Sequence, residues 1–205
     1  MTFLEAINTL LSVIGEAPVS SLSDVGSNTI SDAALASRTL REVDRDVQAE
    51  GWQFNTDEYV QLQKDSDNQF PIPGNVLRAS FSPNRYADCQ FVIRGKRVYN
   101  RAQQTYQIDE ETLIVDKMVV QLDWDELSHA AQQYITIRAA RIYSDRFINS
   151  NVIYTYTSQD EQYARSQMIR AEEESLSNNL LWGNDRGVGQ GIGYIPAAGT
   201  RYRFN

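Results

Sequence analysis

The chain is 205 residues long, enough to bury a real core as one large domain or two small ones, and its 41% apolar and 22% charged residues are ordinary for a globular protein. A net charge of −8 argues against a global basic face for gripping nucleic acid, although a local basic patch is compatible with an acidic total, and an acidic wall suits a pore through which DNA slides without sticking. One cysteine, Cys89, and one histidine, His129, exclude an internal disulfide framework, a thiolate zinc site and clustered imidazole ligands, and charges interrupt every apolar run before it reaches membrane-spanning length.

The N-terminal stretch has an apolar run but no basic leader, and Glu5 sits inside it, so it reads as an amphipathic helix and not as a secretion signal. Phe3, Ala6, Ile7, Leu10, Leu11 and Ile14 recur at helical spacing, Thr2 with Glu5 forms a capping box, and Gly15 stands where a C-terminal cap belongs. A second helix is predicted from about Ser31 to Glu50, with Ala33, Ala36, Leu40, Val43 and Val47 on one stripe and Gly51 as its stop. Its remaining faces carry Arg38, Arg41, Glu42, Asp44, Arg45 and Asp46, a solvated or inter-subunit surface.

From Trp52 to Asp123 the period changes. Tyr59 to Gln63, Asn75 to Phe81, Phe91 to Arg94, Arg97 to Tyr99, Glu111 to Val115 and Met118 to Leu122 are short runs rich in β-branched or aromatic residues. Turn signals bound them, at Pro71 to Gly74, Ser82-Pro83-Asn84 and Gly95-Lys96, the last a tight hairpin. The pattern predicts a small antiparallel β domain inserted between helices.

A third helix is predicted from about Asp125 to Ile148, with Leu127, Ala131, Tyr134, Ile135, Ala139, Ile142 and Phe147 on a broad apolar stripe. A fourth begins near Ser158, with Glu161 completing a capping box and pairing with Arg165, and runs to about Asn178. Its stripe of Ala164, Met168 and Ala171 is thin, which suits packing against a neighbouring chain. Beyond Leu180 six glycines alternate with Trp182, Tyr194, Ile195, Tyr202 and Phe204, the composition of an arm that orders on docking to a partner.

No catalytic constellation stands out. The glycines from Gly187 to Gly193 follow no strand and open no helix, so they match neither a dinucleotide fingerprint nor a phosphate loop. His129 lacks a recognisable relay, Cys89 lacks a basic setting, and the carboxylate runs Asp109 to Glu111 and Glu172 to Glu174 read as solvated turns and helix faces. Trp52 and Phe54 read as anchors of a domain junction, and Arg141 and Arg146 serve either intrachain ion pairs or contacts between subunits. Neither a metal nor a cofactor is expected, nor is enzymatic activity.

Three stretches carry a family resemblance. Ile7 to Leu22, Val43 to Glu58 with Val47-Gln-Ala-Glu-Gly-Trp-Gln-Phe-Asn55 at its centre, and Ala139 to Phe147 followed by the acidic helix through Ala164-Arg165 and Glu172 to Glu174 resemble the tail tubular protein A family, the head-to-tail adaptors of short-tailed phages. That resemblance implies a helical bundle with an inserted β domain; with the patterns above the expectation is an α+β fold, a four-helix bundle from 1–51 and 124–179, a β domain at 52–123 and, from its composition alone, an extended arm at 180–205. It implies a homo-oligomeric ring of twelve in the virion tail, assembled in the host cytoplasm between portal protein and tail nozzle protein, with tail fibres nearby and DNA passing through without specific binding. On this reading Arg41, Arg45, Arg141, Arg146, Arg165 and Glu172 close the ring, and the aromatic arm meets the portal or a neighbour. The alternative is a tail-borne envelope polysaccharide hydrolase with a carboxylate pair, distinguished by turnover of polysaccharide that Asp or Glu replacement abolishes.

Overall fold

In a computed structural model that describes residues 1–21, 31–86, 90–146 and 156–181, the chain is α+β, with four α-helices and two small antiparallel sheets among those residues. Helix α1 (Phe3–Val13) is closed at both ends by local chemistry. Thr2 and Glu5 form the reciprocal capping box, and Gly15 at φ 79 lets the chain turn back so that its N–H reaches Ser12 O and the Glu16 N–H reaches Leu11 O. Helix α2 (Asp32–Ala49) starts at Ser31, whose hydroxyl accepts from the Ala34 N–H at 3.1 Å, and stops at Gly51, φ 82. A side chain at Gly51 meets the Arg78 guanidinium at 2.6 Å and a Val119 methyl at 3.0 Å, so both backbone angle and space demand glycine there.

A 3-10 turn (Gln53–Asn55) leads into β1 (Thr56–Gln63), followed by β2 (Val76–Ser80), β3 (Phe91–Arg94), β4 (Arg97–Asn100) and β5 (Thr112–Val120). The sheet order β1-β5-β2 puts the last strand in the centre, and β3 and β4 form a separate hairpin. The two expected runs at Glu111 to Val115 and Met118 to Leu122 are one continuous strand. Asp116 and Lys117 do not break it because each lies on the polar margin, Asp116 toward Arg85 and Lys117 toward Glu58. The hairpin turn has the left-handed pair Gly95 (φ 57) and Lys96 (φ 61), the geometry of a two-residue turn matched to strand twist.

Helix α3 (His129–Asp145) begins later than its apolar pattern suggests. Residues Trp124–Glu126 form a 3-10 turn closed by Glu126 on the Asp123 N–H, and Ser128 then caps the helix through the Ala131 N–H. Helix α4 spans Ser158–Leu181.

Buried side chains fall into two clusters. The first joins α1, α2 and α3 with Trp52, Trp124 and Leu127, and takes Ala164 and Met168 from α4. Ile7, Leu10, Leu40 and Ile135 are fully buried in it, each stabilising by about 1.5–3 kcal/mol relative to exposure. The second lies within the β part, around Phe70, Val98, Leu113 and Val115.

Between the clusters runs a polar seam. Gln48 is fully buried, and its side chain accepts from the Leu122 N–H at 2.8 Å while donating to Leu122 O at 3.1 Å and to Asp44 Oδ1 at 2.9 Å. Asn55 donates to Gln48 O and Val120 O and accepts from the Trp52 N–H, and Trp52 Nε1 donates to Val47 O. The entry to and exit from the β part are therefore tied to one helix turn.

Candidate functional site

Helix α4 is the element whose sequence least explains its position. It packs on α3, yet over its length only Ala164 and Met168 are buried among the side chains described, while Tyr163 is 67% and Ile169 39% exposed. Ala171, expected on the buried stripe, is exposed. Burial of one methionine stabilises by about 1.5–3 kcal/mol, little for ordering a helix this long.

Charge supplies the rest. The capping box sits one residue before the expected one: Asp160 accepts from the Thr157 N–H at 2.8 Å, and Thr157 Oγ1 accepts from the Asp160 N–H at 3.2 Å. These Thr157 hydrogen bonds hold the Asp160 carboxyl below its usual range. Glu161 is thereby free to leave its own helix. It bonds Arg141 Nε and lies 3.7 Å from Arg138, in place of the expected pair with Arg165.

Arg165 instead reaches across to Glu50 at 2.7 Å and to Tyr134 Oη at 3.0 Å, with its guanidinium 5.6 Å above the Trp52 ring. Glu50 also takes Arg138 at 3.2 Å, so one carboxylate at the end of α2 holds guanidinium groups from both α3 and α4. Hydrogen bonds to Glu50 and Tyr134 push the Arg165 pKa higher still. Farther along, Glu172 accepts from the Gln53 N–H and Ser175 contacts Gln53 Oε1.

Replacing Glu50 with glutamine should loosen α4 by about 1 kcal/mol, an effect kept small because the pairs are partly solvated. Hydrogen exchange reads it: α4 amides should lose several-fold protection with those of α1 unchanged, and added salt should narrow the difference between variant and parent.

The other expected contact residues divide into two groups. Arg146 bonds Thr39 Oγ1 at 2.7 Å and Glu42 at 3.3 Å, and Arg141 bonds Asp145 as well as Glu161, so Arg141, Arg146, Arg165 and Glu172 all have partners within the chain. Arg41 and Arg45 are exposed and line a cleft of about 440 Å³ with Phe3 and Trp124; the Arg41 guanidinium lies 5.0 Å over the Phe3 ring. Asp44 departs from its expected solvated face. It is 7% exposed under Arg41 and bonded to Gln48. Burial pushes its carboxyl pKa up, against the Gln48 hydrogen bond and Arg41. Trp52 lies in the helical core and Phe54 packs against that core.

His129 is exposed at the first position of α3, Asp109 and Glu111 are exposed in the segment before β5, and no group of three or more His, Cys, Asp or Glu among the described residues is placed to hold a metal. Among those residues no helix is long and apolar enough to cross a membrane. Cys89, Phe147 and the arm residues Trp182, Tyr194, Ile195, Tyr202 and Phe204 lie outside the described residues. Glu50, Arg138 and Tyr134, which hold α4 in place, had no motif to mark them: Glu50 looks like an ordinary helix end and Tyr134 like core.

A family model described as tail tubular protein matches residues 4–177, running from α1 through the whole β part and into α4. No curated protein matches the chain.

Proposed function

The chain belongs to the tail tubular protein family, structural proteins of the phage tail, and on that premise we propose that it is the adaptor between head portal and tail nozzle. The observation that carries the proposal is the reach of the family match across both the helices and the β part. Twelve copies form a ring around a channel through which DNA leaves the head. The helices act as a four-helix bundle that closes the ring, the β domain of residues 52–123 faces the nozzle, and the arm of residues 180–205 meets the portal or a neighbouring copy. Tail fibres dock near the adaptor–nozzle junction. Assembly takes place in the host cytoplasm.

Two features support this reading. A ring needs heterologous contacts, one face of each copy meeting a different face of the next. The exposed Tyr163 and Ile169 of α4 offer one such face, and the Arg41–Arg45 cleft beside α1 offers another, with α3 between α4 and the α1–α2 pair. The intrachain partners of Arg141, Arg146, Arg165 and Glu172 suit those residues to shaping the faces that Arg41 and Arg45 bridge.

Negative-stain imaging of the purified protein with and without its cognate portal tests the proposal. Twelve-fold rings stacked beneath the portal are the expected result. Monomers that ignore the portal would refute the adaptor role, and assays on envelope polysaccharide would then be the next step.

A further inference from the structure

The chain's net negative charge hides a strong local asymmetry. Residues 90–108 contain Arg94, Lys96, Arg97 and Arg101 and neither Asp nor Glu, so the rest of the chain is more acidic than the total suggests. These cations sit on and beside the β3–β4 hairpin. Its inner face, with Phe91, Val98 and Asn100, is buried, which leaves Val92, Arg94, Arg97 and Tyr99 on the outer one.

The outer face is ordered. The Arg94 guanidinium lies 4.2 Å over the Tyr99 ring, and Tyr106 meets Tyr99 edge-on at 4.8 Å. Stacking fixes the plane of the guanidinium and leaves its N–H edge available. The turn after β4 is held by Asn100, bonded to Thr105 at both backbone atoms and, through its side chain, to the Ala102 N–H; this fixes where Arg101 leaves the surface. Arg97 is neutralised by Asp65 at 3.0 Å. Arg94, Lys96 and Arg101 are exposed and pair with no carboxylate among the described residues.

We propose that this outer hairpin face is a contact surface for the phosphate backbone of DNA. The side chains around the three free cations decide between partners. Gln103, Gln104 and Gln107 are exposed neutral amides, and the one large exposed apolar side chain is Tyr106, 37% exposed and already stacked. Cations among neutral hydrogen-bonding groups suit phosphate and sugar contacts, which position a duplex without reading its sequence. A protein partner would call for a large anchor free to enter a pocket at the centre of the patch, whereas Tyr99 is half-buried under Arg94 and Tyr106 is packed edge-on against it. The acidic remainder of the chain repels a polyanion, so the hairpin is the side from which DNA approaches. The proposal is independent of ring formation.

The test is fluorescence anisotropy of a labelled ~30-base-pair duplex titrated with the full chain across ~50–200 mM salt. Three phosphate contacts predict weak binding whose logarithmic salt slope is about −2.7. The triple variant R94Q/K96Q/R101Q should lose more than about tenfold in affinity and bring the slope near zero. The matched variant R38Q/K117Q/R170Q, which removes the same charge elsewhere, should change neither quantity. All six positions are exposed, and circular dichroism confirms that each variant is folded. Equal losses in both variants, or no binding by the parent chain, overturn the proposal. Displacement of DNA by polyglutamate at equal charge also overturns it, in favour of an acidic protein surface.

Discussion

Replacing Phe70 with alanine is expected to destabilise the β part by about 3–5 kcal/mol, near the upper end for a single truncation. Phe70 is fully buried, its carbonyl accepts from the Val98 N–H at 3.0 Å, and Lys64 lies over its ring at 5.8 Å. It thus seats the hairpin against the three-stranded sheet. The β core is small, drawn from Leu62, Ile72, Phe91, Val98, Ile108 and a few residues of β5, so a cavity the size of a phenyl ring has few neighbours able to collapse into it. Phe70→Leu, which keeps most of the volume, should cost only about 1 kcal/mol.

Hydrogen exchange adds a second readout. Strands β1–β5 contribute none of the buried residues of the helical core, so amides in the strands should lose protection in Phe70→Ala while those in α1 and α3 keep theirs. Uniform loss across both parts would show that the two cores unfold as one unit and would remove the basis for a separate β domain.

The features that proved readable in the sequence were those with a local cause. Thr2 with Glu5, Ser31, Gly15 and Gly51 marked the ends of α1 and α2 because a cap is decided by a handful of neighbouring residues. Gly95-Lys96 marked its turn for the same reason. Where two local solutions compete, sequence alone does not choose between them. Thr157 with Asp160 and Ser158 with Glu161 both fit a capping box, and the first prevails because Glu161 is worth more facing Arg141 and Arg138 across the helix pair. The pattern from Asp125 to Leu127 reads as helical, but Glu126 turns back to the Asp123 N–H and Gln132 donates to Trp124 O, so the chain makes a separate turn before Ser128.

Side chains whose role is set by distant partners were not readable at all. Asp44 looks like part of a charged helix face until Gln48 and Arg41 enclose it, and Phe70, before Pro71, looks like part of a loop until the hairpin closes over it. The site shows the same limit: the arginines and Glu172 named for contact lie on or at the end of the expected helices, but which partner each takes depends on ion pairs spanning up to 115 residues of sequence, as between Glu50 and Arg165.

Gln48→Ala is expected to cost about 3–4 kcal/mol at pH 7, because it strips three hydrogen bonds from a fully buried side chain. The Leu122 N–H and carbonyl each lose a partner, and the Asp44 carboxylate loses the Gln48 donor while remaining buried. Burial already raises the Asp44 pKa above its ordinary 3.8, opposed by the Gln48 hydrogen bond and by Arg41; Arg45 and Asp123 line the adjoining cleft. An acid whose folded pKa is raised costs stability when ionised, above that folded pKa, and the cost fades as pH falls toward the unfolded value. Removing Gln48 raises the Asp44 pKa further, so the variant's deficit should be largest at neutral pH and shrink as the solution is acidified toward 3.8. Carboxyls held low elsewhere, such as Glu42 and Asp65, weaken both proteins alike in acid and cancel in the difference. Urea denaturation of both proteins at neutral and mildly acidic pH measures this, and a deficit that does not change with pH would mean that Asp44 is not part of the seam. Since Leu122 lies where the chain leaves the sheet for α3, the same substitution should also loosen the β part from the helices, leaving Asn55, which bonds the Gln48 and Val120 carbonyls, to hold the seam.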